Sequence, residues 1–204
     1  MQQSTTRRTL HYYWQVTRKH KSLFWGLIVS TFLFVALLSY GNPYVMSLVV
    51  DRVSEGGVGP DEVFSAYGPY IVALIAINVF GQAASKFQDY TLYKLEIAAA
   101  YDLATMSFDA LCNQSMSFHS NRFGGTLVSQ TSKFMSAYQQ LIETIMFPFL
   151  PVMCSVIFTC GILAPRVPVY VAILMALLAV YATVSYVMYK RILSLNEKAA
   201  SAQN

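Results

Sequence analysis

The stretch with the most chemistry to offer is Asn113–Lys133, NQSMSFHSNRFGGTLVSQTSK. Its second half, GGTLVSQTSK, has the glycines, hydroxyls and lysine of a phosphate-binding loop. The pattern that cradles a phosphate is stricter, with a second glycine directly before the lysine. Ser129 stands at the second glycine position and no Gly-Lys pair follows. His11, His20 and His119 are far apart, with no HExxH or carboxylate cluster around them. Cys112, Cys154 and Cys160 form no metal-ligand spacing, and no GxSxG elbow occurs. No constellation for hydrolysis, redox or metal catalysis is visible. The chain by itself is not read as an enzyme, and any energy source must lie on another polypeptide segment.

The same stretch is better suited to contact. Ser117–Phe123 is short and amphipathic. Ser115 or Ser117 can cap a short helix there, and Gly124-Gly125 can end it. Met116, Phe118, His119 and Phe123 then project from a knuckle, with Asn121 and Arg122 adding polar contacts. The plain alternative is a solvated turn between two helices.

The elements that hold this knuckle are membrane helices. The chain has 204 residues, 55% hydrophobic and 12% charged. Four runs lack any Asp, Glu, Lys or Arg: 22–50, 63–85, 144–165 and 167–189. About 20 apolar residues cross a hydrocarbon core, so four spans are expected. The first run is too long for a signal peptide and has no small-x-small cleavage site. The net charge of +4 is concentrated before the first span and calls for no nucleic-acid partner.

Residues 1–21 read as a polar, frayed tail (1–6) followed by an interfacial helix, RRTLHYYWQVTRKHK, with aromatics at headgroup depth and cations toward lipid. Arg7, Arg8, Arg18, Lys19 and Lys21 place the N-terminus in the cytoplasm by the positive-inside rule. Asp51–Glu62 reads as an external loop, and Ala164–Pro168 as an external turn. Gly41-Asn42-Pro43 predicts a kink in the first span. Pro148 and Pro151 predict a bend in the third.

From Lys86 to Cys112 there is neither glycine nor proline. Leu92, Leu95, Ala99, Leu103, Met106 and Ala110 recur at spacings of 3, 4, 4, 3 and 4, a narrow coiled-coil stripe. Lys86, Asp89, Lys94, Glu96, Asp102 and Asp109 flank it as charges. At 1.5 Å per residue the extension projects roughly 40 Å. Thr126–Glu143 is the returning leg of this 86–143 cytoplasmic loop. Glu143, at the mouth of the third span, reads as solvated. The stripe and a chain that ends in mid-helix imply further helices.

An interfacial elbow, short external hairpins, and two long helices joined by a knuckle resemble the exporter-type transmembrane domain of ABC transporters. The motif runs through Phe118-His119, Ser120–Phe123, Gly124-Gly125, Leu127 and Ser129. Gln130 stands where arginine is common, and Phe134 near where aspartate is common. The resemblance implies an all-α membrane fold. Residues 22–204 would be a partial transmembrane domain carrying four of six spans, and 116–123 the first coupling helix. Met116, Phe118, His119, Asn121, Arg122, Phe123, Gly124 and Gly125 would seat on a nucleotide-binding domain that holds ATP and Mg. It also implies a second transmembrane half, homo- or heterodimeric, in a multi-pass assembly of the inner or plasma membrane. ATP-driven closure would switch the helices as rigid bodies. The competing reading is a membrane scaffold or sensor whose cytoplasmic hairpin docks a soluble partner.

Overall fold

The computed structural model describes residues 2–56, 59, 62–115 and 124–202, with side chains described over 6–56, 59, 62–115 and 124–192. Every extended element among them is helical. In chain order these are α1 (Gln2–Lys19), α2 (Lys21–Phe34), a π-helical segment (Val35–Gly41) and α3 (Asn42–Glu55). Then come α4 (Val63–Cys112), α5 (Gly124–Thr144), a second π segment (Ile145–Phe149), α6 (Leu150–Leu163) and α7 (Pro168–Ala202). Four helical runs are long and apolar enough to cross a membrane: 21–55, 63–112, 124–163 and 168–192. The chain forms two compact units, residues 1–155 and 156–204.

In the first unit the backbone is α4, an uninterrupted helix of 50 residues, about 75 Å long at 1.5 Å per residue. Its buried residues form one face: Gly81, Ala84, Gln88, Thr91, Leu92, Leu95, Glu96, Ala99 and Leu103. The stripe legible in the sequence is the polar half of this face. It is covered from within the chain, by Tyr13 and Val16 of α1, Leu27 of α2, and Tyr138 and Ile142 of α5 with Met146 just beyond it. Beyond Leu103 the expected stripe is less covered: Met106 is half-buried and Ala110 is exposed. Gly81 permits the closest approach, because a methyl group there would lie 2.5 Å from Leu38 Cδ2 and 2.6 Å from its Cγ.

Helix α1 takes in most of the expected elbow helix and also residues expected as a frayed tail. It begins at Gln2, since no glycine or proline interrupts the first residues. One face packs on protein: Tyr13 and Val16 are each 6% exposed, whereas Tyr12 and Trp14 point outward. The Tyr13 hydroxyl donates to the Phe134 carbonyl at 2.7 Å, and Thr17 Oγ1 lies 3.0 Å from the Tyr138 hydroxyl. The loop expected from Asp51 begins later. No breaker precedes Gly56, and Arg52 pairs with Glu55 at 3.0 Å one turn on. Gly56, at φ 70°, is the residue that stops α3.

Both π segments precede a proline, and the reason is backbone accounting. The Asn42 N–H bonds to the Leu37 carbonyl, five residues back. The Leu38 carbonyl would then need the N–H of residue 43, which is Pro43 and has none. Asn42 Nδ2 turns back to it at 3.5 Å. In the third span the Leu150 N–H bonds to Ile145, and the Met146 carbonyl faces Pro151. Gln88 of α4, 2% exposed, donates its Nε2 to this carbonyl at 3.4 Å. The helix is thus widened before Pro43 and before Pro151, with a side-chain amide at the carbonyl that lost its donor in each case, and Pro148 lies inside the second widened segment.

The second unit holds the end of α6, a tight turn and α7. The Leu163 carbonyl accepts from Arg166 N at 3.0 Å and Val167 N at 2.7 Å, which closes the turn before Pro168. None of the described side chains of α7 is buried.

Gln88→Leu would leave the Met146 carbonyl buried without a donor, at a cost of about 1–3 kcal/mol. Thermal unfolding of the detergent-solubilised protein measures it. A Tm equal to wild type would show that this carbonyl needs no partner.

Candidate functional site

The segment singled out by sequence lies where α4 stops at Cys112 and α5 starts at Gly124. Six of the residues singled out by sequence, Met116, Phe118, His119, Asn121, Arg122 and Phe123, fall outside the described residues. Gly124 and Gly125 are described. They are the first two residues of α5. Among the described residues only Gly56 has positive φ, and a Cβ at either Gly124 or Gly125 would meet nothing within 4 Å. A chain already helical at residue 124 needs no left-handed turn there.

The same observation settles what Gly124–Lys133 can hold. All ten residues lie in α5, so the N–H groups past its first turn are committed within the helix. They are therefore not free to wrap a nucleotide's phosphates. Nor, among the described residues, do three His, Cys, Asp or Glu side chains converge on a possible metal position.

The long helices are held at a fixed spacing by polar ties as well as by the core. Asp102 of α4 accepts from Lys19 Nζ at 2.6 Å and sits 2.8 Å from His20 Nε2. Burial pushes the Asp102 carboxyl up, but the hydrogen bonds and charges of Lys19 and His20 outweigh it and hold it below its ordinary value. Asp102 was expected among the charges flanking the stripe, and so was Glu96. Glu96 is instead 6% exposed, and its Oε1 has no hydrogen-bond partner. Burial first, and the Glu143 charge second, raise its carboxyl above the ordinary range. Glu143 itself is exposed, in line with its reading as solvated.

A second stripe on α4 escaped the sequence reading. Tyr90, Tyr93, Ile97, Tyr101 and Phe108 are all more than half exposed. They repeat the 3, 4, 4 spacing of the buried stripe two residues earlier, about 200° around the helix. The signal was present in the aromatics, but an apolar residue at helical spacing does not say which of two faces the chain covers. Near the end of the hairpin an apolar groove of about 470 Å³ lies between α4 and α5, with Tyr101, Phe108, Val128 and Met135 in its walls.

Comparison with known proteins agrees with this architecture. The family model described as ABC transporter transmembrane region matches residues 25–204. The transport/processing ATP-binding protein ComA of Streptococcus pneumoniae serotype 4 (strain ATCC BAA-334 / TIGR4) is 24% identical over 184 residues, 90% of this chain and 25% of the relative. The protein of the same name from Streptococcus pneumoniae strain ATCC BAA-255 / R6 is 23% identical over the same length. The chain thus spans about a quarter of these relatives. No solved structure matches it.

Because Gly124 and Gly125 are helical and open to solvent, replacing either with Ala should stabilise α5 by roughly 0.5–1 kcal/mol. Hydrogen exchange across residues 124–131 reads this directly. Faster exchange in the Ala variants would mean that the glycines serve a turn after all.

Proposed function

We propose that this chain, which belongs to the ABC transporter transmembrane family, forms part of the translocation pathway of an ATP-driven transporter and receives its drive through the segment between α4 and α5. The observation that carries the reading is the family match across 25–204 together with α4. A membrane helix that continues unbroken for 50 residues is a lever: movement at its polar end is movement of its apolar end. The polar ties and the α1 contacts favour transmission by making α1, α4 and α5 one packed body. Residues 113–123 join the two levers and offer the aromatic and cationic side chains a docking surface needs.

On this reading ATP and Mg bind to a nucleotide-binding domain elsewhere, since Gly124–Lys133 is helical. The relatives are named ATP-binding proteins, and this chain covers only a quarter of each. The exposed aromatic stripe of α4 supports a second transmembrane half as a further partner, because five large apolar side chains in a line are costly to leave in water. The protein is placed in the cell membrane with its N-terminus and the α4–α5 connection in the cytoplasm, supported by the basic residues before the first span.

Replacing Phe118 and Phe123 together with Ala in the complete transporter should cost on the order of 2–4 kcal/mol of docking if both are buried anchors. Transport and ATPase coupling should fall sharply while membrane insertion stays normal. Wild-type rates for both would reduce 113–123 to a linker. A cysteine at Ser120 should be unreachable by impermeant reagents added outside intact cells; labelling from outside would invert the topology.

A further inference from the structure

Glu96 is the one described side chain with a buried, unpartnered polar atom. It stands on the buried face of α4, between Leu92 and Ala99, where α1 and α5 close over that helix. A carboxylate there is anomalous twice over. It has left water, and one of its oxygens has found no donor, an arrangement costly for an ion and far less so for a neutral acid.

The surrounding charges do not rescue the ion. From α5, Glu143 raises the Glu96 carboxyl further by repulsion. Tyr138, also on α5, is itself raised by burial, against its hydrogen bond with Thr17, with the charge of Glu96 adding to the rise. From α1, Tyr13 is in the same core. Lys19 and His20, at the end of α1, are engaged by Asp102 about two turns further along α4. Lys21, at the start of α2, is exposed. Among the described residues no cation pairs with Glu96.

We propose that Glu96 is a proton-binding site which controls the junction of α4 with α5: the neutral carboxyl lets the two helices close on each other, and its ionisation loosens them. The ligand is a proton, and the element it biases is the packing of the α4–α5 hairpin. This goes beyond transport and stands whether or not residues 113–123 dock an ATPase domain. The sign follows from linkage. A carboxyl raised in the packed state binds its proton more tightly there than when the helices part. The closed packing is therefore at full stability below the ordinary glutamate value of 4.5. It loses stability as pH rises from there through the raised value.

The test uses the complete protein in lipid nanodiscs, with Cys112, Cys154 and Cys160 replaced and spin labels at Thr105→Cys on α4 and Ser132→Cys on α5. Electron-electron distance distributions are recorded from pH 4.5 to 9. The wild type should shift from a narrow, short distribution to a broader, longer one as pH rises. Glu96→Gln, which mimics the protonated acid, should keep the short distribution throughout. Glu143→Gln should move the wild-type transition to lower pH, since it removes the neighbour that favours protonation. An infrared carboxylic-acid band at low pH should be missing in Glu96→Gln. A wild-type distribution independent of pH would overturn the proposal, as would a transition that survives in Glu96→Gln. So would a Glu96→Gln protein that is open at every pH, because Glu96 would then need its charge, paired with a cation beyond the described residues.

Discussion

The face of α4 from Gly81 to Leu103 is the surface on which α1, α2 and α5 assemble. Leu95, Ala99 and Leu103 are fully buried there, and each leucine so covered contributes about 1.5–3 kcal/mol. The polar half of this face lies beyond the apolar window of the helix, where water supplies the driving force. The apolar half lies in lipid, where no such force separates helix from solvent and close fit must serve instead. Gly81 against Leu38 is where that fit is tightest. One helix, continuous over 50 residues, therefore uses two kinds of cohesion along its length.

Lipid imposes a second constraint, that no backbone carbonyl be left without a donor. Pro43 and Pro151 each remove one. In both places the helix widens by a residue and an amide side chain fills the gap: Asn42 within its own helix, Gln88 from across the interface. The second solution does more than the first, because it ties α4 to the third span at the point where that span is weakest. Asn42 also meets Asn78 of α4, whose Nδ2 donates at 3.0 Å, so each proline-widened site is joined to the same central helix.

At the polar end the ties are ionic. Asp102 with Lys19 and His20 fixes the end of α1, while Glu96 remains the single misfit in the core. An assembly that needed only stability would have an apolar residue at Glu96, since one oxygen of the acid has neither partner nor solvent. A polar residue kept inside a lever helix marks a joint whose closure depends on more than packing.

The sequence by itself determined the helical class, the number of apolar runs, the length of α4 and the narrow stripe from Leu92 to Leu103. Each of these is a matter of composition, breakers or period along one chain, and local physics sets them. It also marked Pro43, Pro148 and Pro151 as points of disturbance, without the π-helical form that the missing donors take. Tertiary structure alone decided what covers the stripe, which of two apolar faces of α4 is buried, and that Tyr13 turns inward while Trp14 turns outward. It alone brought Glu96 and Asp102, read only as charges flanking the stripe, into contact with other helices. Gly124-Gly125 shows the same limit. A glycine pair permits a turn but does not require one, and the pair became the start of α5 because the returning leg is already helical there. Burial and pairing depend on residues dozens of positions apart, and no periodicity within one segment records which distant segment will arrive beside it.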